Sequence, residues 1–355
     1  MRGEDSPEPP AGSVRLVTPA LASERLAGLL QRITEEGGFA YVSSAEKAAG
    51  GDFRAAEAAR EMAWEQLHSG PWHSVVPAWR DAYAMSCLHV AAFHAGAGNF
   101  REALKTLDMG LIMGGRLLRR DLDEAVEKIV GRSKGEEARV GAPASGLRLE
   151  EGDGDGCGKS QIVERQGSLS MERFLCDYFL RGIPVILTGC IDHWPARARW
   201  KDIQYLKGIA GDRTVPVEVG KNYLCDEWKQ ELITFSQFLE RIHSTERCIA
   251  DLTYLAQHPL FDQVVGRKYI RLYSASVSGE LYPCEETMLK NSSQVDLDDL
   301  DLKKFPKVQD LEFVDCVLEE GEMLYVPPKW WHYVRSLTTS FSVSFWWSEC
   351  KKPAS

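Results

Sequence analysis

Apolar residues recur at helical spacing through residues 14–133, and strand-like alternation is scarce there. The alanine-rich segment Arg80–His94 is apolar over several helical turns and is followed by Gly96 and Gly98. A further helix is predicted to start at Asn99, where apolar side chains resume at the same spacing. The pattern therefore predicts an all-α domain over residues 14–133.

Two segments of this helical region resemble each other. Residues 51–56 and 98–103 share the order Gly, acid or amide, Phe, Arg, any residue, Ala. The Asp or Asn fits a helix N-cap, and the Phe fits packing on the preceding helix. Two interpretations remain open: a short helical-repeat array of the tetratricopeptide kind, or an ordinary bundle that uses the same capping twice. Both indicate an interaction or support domain without catalysis of its own.

From Ile162 onward the pattern changes to the alternation typical of strands. Strands are predicted at 185–187, 215–219, 269–273, 313–318 and 341–345, and helices at 168–179, 194–209 and 234–242. Residues 162–348 are thus expected to form a β-rich second domain. The stretch 134–161 reads as a flexible acidic linker, and residues 1–13 and 349–355 as tails. The predicted fold class is α+β, an all-α repeat-like domain followed by a β-barrel domain.

Composition narrows the classes of function. The net charge of −10 argues against a surface that neutralises nucleic-acid phosphates, and an acidic surface attracts cationic protein tails. No signal peptide or membrane span is predicted. The nine cysteines are scattered without a Cys-x-x-Cys, which fits free thiols inside the cell. Four histidines of the helical region are expected to be core or surface residues: His68, His73, His89 and His94.

The strongest chemical signal is His332. It follows a glycine-acid turn at Gly321-Glu322 and an apolar strand that ends at Pro327-Pro328, a pattern that presents an imidazole to a barrel interior. Non-haem Fe(II) oxygenases bind iron with two histidines and one carboxylate. However, no His-x-Asp or His-x-Glu occurs in the 355 residues. With one ligand recognised, a core histidine without a metal is an equally open interpretation.

Several motifs together identify a family resemblance. They are residues 182–187, 192–195, 213–220, 254–258, 266–273 and 341–348, with Trp79-Arg80 and residues 107–111 in the helical half. On these motifs the chain resembles the JmjC class of Fe(II)/2-oxoglutarate oxygenases, within it the arginyl-hydroxylase and lysine-demethylase group. The resemblance implies a cupin-like double-stranded β-helix, protein substrates such as histone tails, and a nuclear location. The sequence itself does not separate nucleus from cytoplasm.

The resemblance also implies residue roles. His332 matches an iron ligand, Lys268 the cation that pairs with the far carboxylate of 2-oxoglutarate, and Tyr254 a hydroxyl donor to that carboxylate. From the residues alone, a strand-edge lysine is the preferred interpretation of Lys268, and a packing residue is the alternative for Tyr254. No catalytic residue is assigned. The cofactors implied for the family are Fe(II) and 2-oxoglutarate.

The chain departs from the family pattern between Gln263 and Gly266, where family members carry several strands and the His-x-Asp. Matching resumes in register after Gly266, as expected for an in-frame deletion. His258, and His243 with Glu246, are poor substitutes for the missing ligands. We therefore predict an incomplete barrel and an impaired or inactive oxygenase. The alternative is a non-catalytic interaction module acting through the helical domain.

Overall fold

The computed structural model describes residues 13–133, 160–195, 199–200, 202–220, 228–243, 253–255, 266–285, 289–338, 340, 342 and 344–345. These residues fall into two compact units. The first unit comprises Met1–Gly141, Gln204–Lys221 and Glu227–Ala256. The second comprises Ala142–Ile203, Asn222–Asp226 and Gln257–Ser355. The helices predicted for residues 14–133 therefore share a unit with parts of the β-rich region.

The helices and strands have the following bounds. The helices are α1 Glu24–Glu35, α2 Phe39–Ala49, α3 Phe53–His68, α4 Pro77–Gly96, α5 Phe100–Met113, α6 Arg119–Ser133, α7 Ile203–Ala210 and α8 Phe235–His243. The strands are β1 Ser160–Ile162, β2 Arg165–Gly167, β3 Val185–Thr188, β4 Thr214–Val219, β5 Lys229–Thr234, β6 Thr253–Tyr254, β7 Lys268–Tyr273, β8 Phe313–Leu318, β9 Met323–Tyr325 and β10 Trp331–Ser336. Within the described residues, none of the helices is both long and apolar enough to cross a membrane.

Helix α4 is the centre of the helical array. Most of its side chains are buried, including Trp79, Met85 and Leu88, and both α3 and α5 pack along it. A helix that is apolar on nearly every side is expected where neighbours cover it on several faces. The all-α prediction for this region is confirmed, and α4 spans the predicted Arg80–His94 segment.

Of the two helix N-caps predicted from the two similar segments, one makes a side-chain hydrogen bond and the other does not. The Asp52 carboxylate accepts the Ala55 N–H at 3.1 Å and caps α3. Phe53 then packs edge-on against Phe93 of α4, with 5.4 Å between ring centroids. Asn99 also occupies an N-cap position, but its side chain makes no capping hydrogen bond, so that part of the prediction is wrong.

The first unit also contains a small antiparallel sheet in the order β5-β4-β6. Along its central strand, Val215, Val217 and Val219 point to one face and are buried. The other face is more open, since Leu232 and Tyr254 are exposed. Helix α8 follows β5 directly and buries Phe235, Phe238 and Leu239.

The second unit contains a four-stranded sheet in the order β1-β8-β7-β10 and a three-stranded sheet in the order β2-β3-β9. Buried side chains of the two sheets pack together, among them Ile270 and Leu272 of β7, Cys316 of β8 and Ile186 of β3. Two sheets with a shared apolar interior are the arrangement expected of a cupin-like fold. The predicted α+β class is confirmed.

Most predicted elements of the β-rich region are present. The strands predicted at 185–187, 215–219, 269–273 and 313–318 are confirmed as β3, β4, β7 and β8, and the helix at 234–242 as α8. Among the described residues, the helix predicted at 194–209 is found as α7 and at Arg199, whose N–H donates to the Pro195 carbonyl.

Two predictions near the domain ends differ from the structure. The helix predicted at 168–179 is a single turn, Met171–Arg173, capped by Ser170, which continues into the π-helical segment Phe174–Phe179. The strand predicted at 341–345 falls partly outside the described residues, and the described Ser342, Ser344 and Phe345 are not in a strand.

The four histidines of the helical region are core or surface residues, as predicted. His68 and His73 are exposed, His94 is half-buried against Phe53, and His89 is buried in α4. Burial lowers the pKa of His89, so this imidazole is held in its neutral form.

Candidate iron and cosubstrate face

His332 lies on β10, at the edge of the four-stranded sheet as the described residues show it. The turn predicted before it is confirmed: Gly321 has φ of 84°, and the Glu322 carboxylate accepts the Glu319 N–H at 2.9 Å. The prolines then end β9, and Lys329, with φ of 64°, turns the chain into β10. The local sequence thus places His332 as its second strand residue.

Strand register puts His332 and Lys268 on the same face of the sheet. His332 lies opposite Leu272 of β7, and Lys268 lies opposite Ser336 of β10. Because paired residues point the same way and sides alternate, side chains four residues apart share a face. The two Cα positions are therefore separated by roughly 13 Å along the strand direction. Leu272, which shares this face, belongs to a buried core cluster, but at the sheet edge His332 and Val334 on the same face are exposed. In the described residues, the prediction that His332 is presented to a barrel interior is therefore wrong.

Lys268 is partly buried on this face. Its ammonium group donates a hydrogen bond to the Ser342 hydroxyl, and no carboxylate of the described residues lies within ion-pair distance. Burial lowers the pKa of Lys268, because an ammonium group without a counter-ion is poorly stabilised away from water. The resemblance assigns this cation to a carboxylate of 2-oxoglutarate, and the structure leaves it without an internal carboxylate partner among the described residues.

Replacing this lysine is expected to stabilise the protein. Lys268→Met removes a desolvated charge, and we expect a gain of up to about 1 kcal/mol at pH 7. The sign follows from the lowered pKa of Lys268 in the folded protein: the destabilising cost is full below that folded-state pKa, falls as the pH rises through it, and is lost above the unfolded pKa of about 10.4. Thermal unfolding at pH 7 and pH 10.5 measures this. The matched control is Lys303→Met at an exposed position, which should change little; a loss of stability in Lys268→Met would contradict the prediction.

Tyr254 lies in the first unit, whereas Lys268 and His332 lie in the second. It ends β6 and lies opposite Glu218 of β4, on the open face of that sheet, with 56% of its side chain exposed. Of the three residues assigned by resemblance, the described structure brings two onto one sheet. The roles assigned to all three remain predictions.

The residues around His332 do not fit the ligand set of a non-haem iron site. On the same face its neighbours are Leu272, Val314 and Val334, which offer no donor atoms. The nearest carboxylate along β8, Asp315, points to the other face and accepts a hydrogen bond from the Tyr269 hydroxyl at 2.8 Å. Within the part of the chain that the structure describes, no three His, Cys, Asp or Glu side chains lie close enough to hold a metal ion. The side chain of His243, and Glu246 and His258 entirely, lie outside the described residues.

The opposite face of this sheet carries a polar and aromatic network that the sequence did not predict. The Arg271 guanidinium lies 4.0 Å from the Phe313 ring centroid and donates to the Tyr269 hydroxyl at 3.0 Å. Arg335 of β10 lies 5.7 Å from the Tyr269 ring on the neighbouring strand. These contacts join β7, β8 and β10, and thereby fix the register that positions Lys268 and His332.

Comparison with known proteins identifies both halves of the chain. Residues 18–142 match the family model described as KDM8-like, N-terminal ARM repeats. Residues 171–259 and 244–352 match the cupin-like domain model. The repeat array suggested by the two similar segments is thus confirmed, but as ARM repeats, not as tetratricopeptide repeats.

Relatives match over most of the chain. The lysine-specific demethylase JMJ30 of Arabidopsis thaliana is 49% identical, over 95% of this chain and 95% of that protein. The lysine-specific demethylase 8 of Danio rerio is 35% identical over 81% of the chain, and that of Xenopus tropicalis is 30% identical over 81%. In each case more than four-fifths of the relative is covered. The chain therefore belongs to the JmjC family, in the group of lysine demethylases that combine N-terminal ARM repeats with a cupin-like domain.

Proposed function

We propose that this chain is a protein-binding form of a JmjC oxygenase that does not turn over substrate. Relatives are named lysine-specific demethylases, and the family generally uses Fe(II) and 2-oxoglutarate. The parental reaction we propose is oxidation of arginine or lysine side chains in proteins, histone tails included. The observation that carries the loss of activity is His332, the single candidate ligand on its face among the described residues, where its neighbours are Leu272, Val314 and Val334. One imidazole cannot supply the three-ligand facial geometry.

The alignments support a missing segment. The alignment with the Arabidopsis relative spans 418 positions, more than the 355 residues of the whole chain, so the chain must carry gaps against it. The cupin-like model matches in two pieces that overlap at residues 244–259. A deletion between Gln263 and Gly266 accounts for the gaps in the alignment with the Arabidopsis relative.

We propose that this chain keeps one of the residues that bind 2-oxoglutarate in the family. Lys268 offers a partly buried ammonium group on the same sheet face as His332, without an internal carboxylate partner among the described residues, which suits a dicarboxylate. Bound iron would supply the oxygen activation of the parental reaction, but the residues described here do not fit it. We therefore assign this chain no oxygenase step.

Partner binding is assigned to the first unit. Its helical array matches ARM repeats, and stacked helical repeats present extended surfaces for protein partners. The net charge of −10 favours partners rich in lysine and arginine. We propose that such partners, histone tails among them, are met in the nucleus.

The proposal is tested with the whole chain in two measurements. Anaerobic equilibrium dialysis against Fe(II) should show no stoichiometric binding, and His332→Ala should change nothing. Stoichiometric Fe(II) that is lost in His332→Ala would overturn the loss of the metal site. A labelled histone-tail peptide should bind equally to the chain and to His332→Ala, and a peptide with its Lys and Arg replaced by Gln should bind weakly. Equal binding of both peptides, or of neither, would refute the proposed partner class.

A further inference from the structure

Helix α5 carries a carboxylate where its pattern calls for an apolar residue. Asp108 stands directly after Leu107, in a run of residues that pack into the core, and only 1% of its side chain is exposed. A buried carboxylate is costly unless it is both paired and hydrogen-bonded. The motif at residues 107–111 shows where this carboxylate lies in the sequence, but it does not indicate which groups bind it.

The partner is the start of strand β4. The Arg213 Nε donates to one Asp108 carboxylate oxygen at 2.7 Å, and the Thr214 backbone N–H donates to the other at 2.6 Å. Both oxygens are therefore satisfied, one by a charge and one by the first residue of the strand. Burial raises the pKa of Asp108, and the Arg213 charge opposes that rise. The Asp108 carboxylate acts as a two-point clamp.

The clamped segment also holds helix α8. The Arg213 carbonyl accepts the Phe235 N–H at 2.8 Å, and the Gly211 carbonyl accepts the Ser236 N–H at 3.0 Å. Because β4 is the central strand of the β5-β4-β6 sheet, its first residues are connected both to the sheet and to the helix that follows it. The Asp108 side chain of the repeat array thus binds the start of β4, which belongs to the first unit but lies outside the array.

A second ion pair joins the same two segments and serves as an internal comparison. Arg101 of α5 lies 3.2 Å from Asp212, the residue before Arg213. The side chains of this pair are 84% and 52% exposed, against 1% and 17% for Asp108 and Arg213. Water and salt screen the exposed pair, so it is worth little, whereas breaking a buried pair leaves an uncompensated charge.

We infer that Asp108 couples the ARM repeats to the β4–β5–β6 sheet and makes them one cooperative unit. The repeats are then not a detachable module over residues 14–133. Residues 204–220, 228–243 and 253–255 belong to the same folding body. This inference does not depend on the loss of oxygenase activity, since it concerns only contacts inside the first unit.

Hydrogen exchange on the full chain tests the coupling. In Asp108→Asn, exchange should accelerate on the order of 100-fold in peptides covering both 100–113 and 214–234, because a broken buried pair opens the whole unit. Asp212→Asn, which breaks the exposed pair, should leave both peptides unchanged. Faster exchange confined to the 214–234 peptide would show that Asp108 stabilises the sheet locally without coupling it to the repeats, and this would overturn the inference. An equal effect of the two variants would overturn it as well.

A milder variant covers the case in which Asp108→Asn does not fold. Arg213→Lys keeps a positive charge beside Asp108 and leaves the Thr214 N–H in place. It should accelerate exchange in the same two peptides together, by a smaller factor. Acceleration in one peptide without the other would again contradict a single cooperative unit.

Discussion

A chimera that inserts the segment we propose is missing is expected to gain 2-oxoglutarate turnover that we predict the chain itself lacks. The insertion would be the stretch of the Arabidopsis relative that aligns between Gln263 and Gly266. The family resemblance implies that this stretch carries the second histidine and the carboxylate, and the residues after Gly266 already resume strand pairing: β7 pairs with both β8 and β10. Succinate release measures the gain, which should rise from background to sustained turnover.

Two variants make this result specific. His332→Ala in the chimera, and replacement of the inserted histidine by alanine, should each return succinate release to background. Lys268→Met in the chimera should weaken 2-oxoglutarate binding more than it affects iron retention. A chimera that folds, retains iron and releases no succinate would show that more than the segment has been lost.

Gly114→Ala is expected to destabilise the helical array strongly. Gly114 ends α5, and a Cβ there would lie 2.2 Å from the Gly110 carbonyl oxygen and 2.8 Å from the Ala84 Cβ. The first atom is backbone and the second belongs to the central helix α4, so neither moves without shifting packed helices. We expect a loss of about 2–3 kcal/mol, measured by thermal and chemical unfolding of the full chain.

The control is Gly28→Ala, in the interior of α1, where an added Cβ meets no heavy atom within 4 Å. Alanine favours the helix over glycine by up to ~1 kcal/mol, so this variant should be neutral or more stable. If Gly114→Ala unfolded at the same temperature as the unaltered chain, close packing between α5 and α4 would be refuted.

The sequence predicted the elements whose patterns are local. Helix α4 and strands β3, β4, β7 and β8 have apolar periods long enough to be recognised without knowledge of their neighbours. Strand β5 was missed because residues 229–234 (KQELIT) are mostly polar and lie at a sheet edge. Strand β10 was missed because aromatic and charged side chains alternate along it with His332, Val334 and Ser336, so that no apolar alternation is visible.

The candidate site was predictable only where its residues belong to one contiguous sequence motif. The motif around His332 is contiguous, so the turn and the residue could be recognised, while the shared face of His332 and Lys268 depends on the pairing of β7 with β10. The Asp108 clamp could not be foreseen, because its two donors lie more than a hundred residues away in the chain. Tertiary pairing of this kind leaves no local periodic signal.

Succinate formation by the purified, unaltered chain tests the central claim most directly. With Fe(II), 2-oxoglutarate, O₂ and a histone-tail peptide supplied, we predict release no greater than that of His332→Ala. The chimera serves as the positive control in the same assay. Release above that background, abolished by His332→Ala, would contradict the claim that this chain binds partners without turning them over.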